Sequence, residues 1–307
     1  SIGSSNYNSK IMNLYTHINL IKLENYDQKI PKQIIQTSFS DEINNIYHLN
    51  SIYTFQELNP EYKYLFFDDK RCREYIKNNF DKYLLNYYDK LIPGAFKADF
   101  FRYCFLYNEG GCYFDCKSIL KLKLRDVIKE DDELILCKDH HKTGIYNAVI
   151  LTSKKNELFL NCLNKIVMKI NNFNEIYNIN NKLEFNKLEN ILSLTGPDLL
   201  YEVYNEMMND NRYIKLNHII KGSHNNYKNL LIDFDRKIFL YKSYKNYKSY
   251  GTHYSQLWRN NEILFSISFT INNYKFLYKD YINNKFKLYI LNKNTLIYEN
   301  KNIINNK

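Results

Sequence analysis

The chain lacks an apolar run approaching the roughly 20 residues that a membrane-spanning helix requires. Its N-terminus carries no hydrophobic stretch of the signal-peptide kind. The six cysteines, Cys72, Cys104, Cys112, Cys116, Cys137 and Cys162, include no C-x-x-C pair. Four of them fall in apolar periodic segments, where a free thiol behaves as a small hydrophobe. Cys112 and Cys116 lie four apart with no histidine close in sequence, a poor zinc signature. These absences give the expectation of a reduced chain in the cytoplasm or another intracellular compartment, without a membrane span. Glycine is scarce, with eight residues, and there is no dinucleotide-binding glycine fingerprint, no P-loop and no G-x-S-x-G. Dehydrogenase, kinase and serine-hydrolase readings therefore lack their minimum residues.

What is present is a hydrophobic fraction of 45% over 307 residues, enough for one large α/β domain or a domain with an appendage. The formal charge of +10 suits anionic partners such as a nucleotide diphosphate, nucleic acid or an acidic surface, and equally a solvated lysine surface. Thirty tyrosines amid abundant Asn, Ile and Lys read as the coding drift of an AT-rich genome rather than a binding code.

Residues 1–29 are polar and weakly patterned, an N-terminal extension in which Ile11 to Leu23 reads as a short helix or strand. Ile30 to Gln36 is the first clear strand, Asp41 to Leu58 an amphipathic helix, and Tyr62 to Phe67 a second strand. Asp69 then reads as the N-cap of a helix over 70–80. A further helix over 81–92 ends at Pro93-Gly94. Beyond residue 119, 122–127 reads as a linker, Glu133 to Cys137 and Tyr146 to Ile150 as strands, and Glu157 to Ile170 as a helix. His140 and His141 fit a solvated loop better than a metal pair. Asn171 to Asn190 is low-complexity and expected at the surface. Thr195-Gly196-Pro197-Asp198 opens a helix running to Met208. Lys and Tyr alternate over 241–254, a pattern that can stack on single-stranded nucleic acid, but no nucleic-acid-binding motif accompanies it. Residues 262–304 alternate apolar and polar types between Asn-rich turns, as β-hairpins do.

The most informative stretch is Ala95 to Ile119, AFKADFFRYCFLYNEGGCYFDCKSI. Ala95, Ala98, Asp99, Arg102, Tyr103 and Leu106 share one helical face, and the two alanines would allow a neighbouring element to approach closely. Asn108 and Gly110-Gly111 end the helix, Cys112 to Phe114 reads as a buried strand, and Asp115 stands at its carboxyl end. Open α/β sheets bind ligands there, so Asp115 is a ligand-binding group or a turn residue. The pattern A-x-x-A-D-x-x-R-Y-x-x-L-Y-x-x-G-G-x-Y-x-D resembles the core of the DXD-containing sugar transferases. That family includes yeast-type α-mannosyltransferases, capsular-sugar transferases and the glucosylating domains of clostridial toxins. The second acidic residue of the motif is Lys117 here.

The resemblance implies an α/β, GT-A-type fold over residues 30–260, with 261–307 as a β-rich appendage for acceptor binding or dimerisation. It implies a retaining hexosyltransferase using a nucleotide sugar, UDP-glucose or UDP-galactose ahead of GDP-mannose, and a glycan or glycoprotein acceptor. Asp99 and Arg102 would grip sugar hydroxyls, and Asp115 with Mn²⁺ or Mg²⁺, or Lys117 in place of metal, would face the diphosphate. Gln36, Thr37 and Phe39 would lie by the base and ribose, and Tyr103, Gly111, Tyr113 and Asn147 around the donor. Gly196 and Asp198 would stand near sugar or acceptor. The C-terminal pattern Tyr250-Gly251-x-His253-x-x-Gln256-x-Trp258 resembles the family's loop closing over the diphosphate, with His253 a second metal ligand. The alternatives are a silent module of the same fold that binds a glycan or nucleotide sugar, and then a basic, aromatic nucleic-acid binder. The transferase reading has no nucleic-acid partner.

Overall fold

The computed structural model describes residues 27–40, 46–138, 145–208, 216–222, 229–234, 237–243, 253–264, 274–280, 285–292 and 295–297. Expectations for Ile11 to Leu23, for the His140-His141 pair and for Tyr250-Gly251 lie outside these residues. The chain begins with strand β1 (Gln33–Thr37), helix α1 (Ile46–Leu58), β2 (Lys63–Phe67), α2 (Asp69–Asn79), α3 (Lys82–Lys90) and α4 (Gly94–Glu109). There follow β3 (Gly111–Phe114), β4 (Ser118–Leu120), β5 (Leu134–Lys138), β6 (Ile145–Thr152) and α5 (Glu157–Asn171). Short helices α6 (Phe173–Tyr177), α7 (Lys182–Phe185) and α8 (Leu188–Ser193) lead to α9 (Pro197–Met208). The last elements are β7 (Leu216–Gly222), β8 (Asn229–Phe234), β9 (Lys237–Ser243), α10 (Tyr254–Arg259), β10 (Tyr274–Asp280), β11 (Lys285–Asn292) and β12 (Thr295–Ile297).

Among the described residues one sheet has nine strands in the order β2-β1-β3-β6-β5-β7-β8-β9-β4. β1 runs parallel to both β2 and β3, whereas β6 is antiparallel to β3 and to β5. This is the α/β class read from the sequence. Strands β10, β11 and β12 form a separate antiparallel sheet within the segment expected to hold hairpins.

The parallel strands are apolar on both faces because helices cover both. Successive residues alternate between two cores: Ile35, Tyr113 and Leu136 face α2, α4 and α5, while Ile34, Cys112, Phe114 and Ile135 face Ile52 and Phe55 of α1. Helix α4 crosses the first core and is buried along most of its length. It ends where Gly110 takes φ +64° and donates its N–H to Leu106, and Gly111 follows at φ +107°. A Cβ on Gly111 would stand 2.6 Å from Gln33 Cγ, so only glycine lets β3 start beside β1.

Four local expectations are revised. The cap of α2 is Asp68, whose Oδ1 accepts from the Arg71 N–H at 2.8 Å; Asp69 is already helical. Ala95 is exposed and Ala98 half-exposed, so among the described residues no element packs closely on that end of the helix face. Residues 122–127 contain a 3-10 turn, Leu124–Asp126, whose first N–H is held by buried Asn59 at 2.7 Å. The Asn-rich segment, read as mixed helical and at the surface, is helical but not wholly at the surface, because Phe173, Tyr177, Phe185 and Ile191 turn inward from it.

Candidate active site

The carboxyl ends of β1, β2 and β3 lie on one edge of the sheet and are followed by Ser38-Phe39, Asp68-Asp69 and Asp115. Because β6 runs antiparallel to β3, its entry brings Asn147 to that same edge. The Asp115 N–H donates to Ala148 at 2.9 Å, and the Asp115 carbonyl accepts from Ser118 at 2.9 Å. These two bonds fix the turn that carries Asp115, Cys116 and Lys117. The turn delivers the chain into β4, a strand too short to announce itself in the sequence.

Asp99 and Arg102 project from α4 towards this turn. Arg102 Nη2 lies 3.1 Å from Asp99 Oδ1 and 3.5 Å from Asp115 Oδ1. Its Nη1 donates to the Asn147 carbonyl at 2.5 Å, its Nε to the Ala98 carbonyl at 3.4 Å, and its plane lies 4.3 Å from the Tyr113 ring centre. Asp99 Oδ1 also accepts from Asn147 Nδ2 at 2.9 Å, and Oδ2 accepts from the Thr195 hydroxyl at 2.9 Å. Burial pushes the Asp99 carboxyl up to about 6, against the downward pull of Arg102, Thr195 and Asn147. At neutral pH it is an ion, paired and hydrogen-bonded. Arg102 is thus spent inside the protein, where it joins two carboxylates, rather than reaching for a ligand.

A ring of buried groups supports these three. The Tyr113 hydroxyl lies 3.3 Å from Asp115 Oδ1 and 3.0 Å from the Thr37 hydroxyl. Gln36 Nε2 donates to the Asp115 carbonyl at 3.3 Å and to Ser51 at 3.1 Å, while its Oε1 accepts from Tyr64 at 2.6 Å. Tyr103 donates to the Thr195 carbonyl at 2.8 Å and stacks on Phe159. Gln36, Thr37, Tyr103, Tyr113 and Asn147, expected against the donor, are therefore buried supports whose polar atoms meet protein partners.

Other expected positions separate from this centre. Gly111 opens β3 and lies about 13 Å of strand away from the carboxyl edge, so its role is the approach to β1. Gly196 fits against the Leu192 carbonyl, 3.0 Å from where a Cβ would stand, which is a packing reason for glycine. Asp198 lies half-buried in the first turn of α9. Trp258, expected over the diphosphate, is fully buried; its indole N–H donates to the Phe185 carbonyl at 2.7 Å and its ring stacks on Phe185. Gln256 is exposed and bonded to Asn260 at 3.0 Å. Phe39, by contrast, is 62% exposed just past β1.

Lys117 is half-buried, and its charge acts on two histidines. His48, buried on α1 with Nε2 3.7 Å from Cys116 Sγ, is lowered to about 4 by burial and then by the Lys117 charge. His253 is lowered by burial and by the same ammonium. It caps α10, its Nδ1 accepting from the Ser255 N–H at 3.3 Å, which leaves Nε2 as the atom able to ligate. Among the described residues no three His, Cys, Asp or Glu side chains gather as a metal group. A cation here would draw most of its shell from diphosphate and water. Sequence reading missed His48, for which no spacing signal exists; it placed the T-G-P motif near sugar or acceptor without singling out Thr195, whose hydroxyl meets Asp99.

Residues 46–135 match a family model described as "Glycosyltransferase sugar-binding region containing DXD motif". An "Uncharacterized glycosyltransferase L373" of Acanthamoeba polyphaga mimivirus is 38% identical over 27% of this chain and 31% of its own length. The "Inositol phosphoceramide mannosyltransferase 3" of Schizosaccharomyces pombe is 30% identical over 36% of this chain and 30% of its own length. The chain thus spans about three-tenths of each of these relatives. A solved structure titled "PaToxG Glycosyltransferase" aligns with a TM-score of 0.43 and 17% identity over 58% of this chain and 70% of that one. Among the described residues no helix is long and apolar enough to cross a membrane. Through its central helix, glycine pair, strand and Asp115, the chain is similar to the DXD-containing glycosyltransferases.

Proposed function

We propose that the chain is a retaining glycosyltransferase with a GT-A-type catalytic domain over 30–260 and an appendage over 261–307. It moves a hexose from a nucleotide sugar, UDP-glucose or UDP-galactose first, to a hydroxyl of a glycan or glycoprotein. The Asp99–Arg102–Asp115 constellation, with Asp99 and Arg102 buried and Asp115 partly open at the carboxyl edge of three parallel strands, inside the family match, carries this reading.

In the reaction the bond from the anomeric carbon to the diphosphate oxygen breaks, and the leaving nucleoside diphosphate keeps the electron pair. The acceptor oxygen bonds the same face of that carbon, and its proton passes to the departing phosphate oxygen. Negative charge grows on the diphosphate, and the ammonium of Lys117, two residues after Asp115, is suited to meet it. Asp99 holds a donor hydroxyl, Arg102 keeps Asp99 and Asp115 in register, and exposed Phe39 stacks on the base. A divalent Mn²⁺ or Mg²⁺, held by Asp115 and His253, would add charge to the leaving group.

A second reading keeps the site and changes the ligands. The fission-yeast relative's title names mannose transfer to an inositol phosphoceramide, which favours GDP-mannose and a glycolipid acceptor.

The test is release of free nucleoside diphosphate from a panel of UDP- and GDP-sugars with Mn²⁺, Mg²⁺ or chelator. Slow hydrolysis of one donor is expected, with a loss of at least a hundredfold in Asp115→Ala. Hydrolysis that survives chelator assigns the positive charge to Lys117. Silence with every donor, together with no donor-induced thermal shift, overturns the proposal.

A further inference from the structure

The hydrogen bonds around Asp99 can be counted. A carboxylate offers about two lone-pair sites on each oxygen. Oδ1 accepts from Asn147 Nδ2 at 2.9 Å and is ion-paired with Arg102 Nη2 at 3.1 Å, so both of its neighbours are protein groups. Among the described residues Oδ2 meets only Thr195 Oγ1. Thr195 is fully buried and held in place: its carbonyl accepts from Tyr103, and two residues earlier the Ser193 carbonyl accepts from Lys169 Nζ at 2.8 Å. Lys169 is itself locked to Glu202 of α9 at 2.5 Å. The threonine is therefore fixed from α4 and α5, and it meets the carboxylate oxygen that Asn147 does not.

We infer that Thr195 is a positioning residue that sets donor-hydroxyl selectivity: by occupying one site on Asp99 Oδ2, it leaves a single acceptor site open, so Asp99 reads one sugar hydroxyl and not two. This deepens the donor-binding reading and rests on it. The motif residue that matters is the threonine, whose hydroxyl touches the carboxylate, and not Gly196 or Asp198. The bound sugar is thus selected by a group that never touches it.

The experiment uses the full chain and compares its preferred nucleotide hexose with the 2-, 3-, 4- and 6-deoxy forms of that donor. Binding is read by thermal shift or calorimetry and turnover by diphosphate release. In the wild type, removal of one particular hydroxyl is expected to weaken binding about tenfold, the value of one hydrogen bond to a charged group, and removal of the others far less. Thr195→Val keeps the shape and removes the hydroxyl. Its expected effect is a collapse of that discrimination to within about twofold, or its spread to a second hydroxyl. Thr195→Ser should restore the wild-type ratio, which a merely structural role would not require.

A uniform loss across all donors in Thr195→Val, or a serine variant as unselective as valine, overturns the proposal. A valine variant that does not fold leaves the decision to serine and to Thr195→Ala, on the same ratio. Wild-type chain that binds no donor overturns the functional reading and this inference together. Wild-type chain that binds but discriminates equally at two hydroxyls overturns this inference alone.

Discussion

Arg102 sits between two carboxylates with little water to share the load, and the cost of its removal depends on what they can do alone. Breaking a buried pair by deleting one partner typically costs about 3–5 kcal/mol, because a charge is left uncompensated. Asp99 has an escape, since its carboxyl, already raised to about 6, can take up a proton. Arg102→Ala is therefore expected to lower stability by about 3 kcal/mol at pH 8 and by clearly less at pH 5, measured by urea denaturation at both values. An equal loss at the two pH values would contradict the pairing. At this scale Asp99, Arg102 and Asp115 were readable as candidates from spacing and resemblance, because side chains three apart on a helix share a face. Their partners were not. Nothing in sequence ties Thr195 to Asp99 or His48 to Cys116, since those contacts span 96 and 68 positions.

The elements were more legible than the contacts. Gly110-Gly111 marked the end of α4, and the apolar triplet after it marked β3, because punctuation and burial are local signals. The three-residue β4 and the shift of the α2 cap by one residue escaped, the first for want of a pattern and the second because two adjacent aspartates compete for one cap. The larger misreading concerned the Asn-rich segment, where sparse aromatics are hidden by polar neighbours. Phe173, Tyr177 and Phe185 of α6 and α7 surround Trp258 of α10, which also meets Phe96 at the start of α4. This cluster ties the C-terminal helix to the helix that carries Asp99. Trp258→Ala is expected to cost about 3–5 kcal/mol, and Trp258→Phe distinctly less, in a denaturant midpoint. Trp258 is also the one tryptophan of the chain, so its fluorescence should shift to the red in step with unfolding of the site. A red-shifted native spectrum would contradict the burial.

Across the whole molecule the buried ionisable groups pull stability in opposite directions with pH. His48 is held neutral in the fold, down to about 4 from its ordinary 6.5. The unfolded chain protonates it first, so its contribution is full above about 6.5 and is lost as pH falls towards 4. Asp99 and Asp69, both raised to about 6 from 3.8, run the other way: the folded state holds their protons longer, so stability falls as pH rises from about 4 to 6. Two carboxyls outweigh one imidazole, so stability should decline modestly with rising pH across this window, and His48→Gln should steepen the decline. Chemical denaturation at pH 4.5 and 6.5 measures the tilt, and a rise instead would refute the assignment of these groups. Donor turnover should follow Asp99 alone and fall off below about pH 6, where its ion is lost.

Thr195 lies 96 residues after Asp99, and Asn147 lies 48 after it. During synthesis the helix that presents Asp99 leaves the ribosome long before either partner exists. At about 5–20 residues per second the wait for Thr195 is about 5–20 seconds. Through that interval the nascent chain carries the carboxylate and its arginine neighbour without the groups that later fix them. The timing of translation thus sets when the site can exist, and slow codons between Asp99 and Thr195 would lengthen the period in which a chaperone must guard an unfinished core.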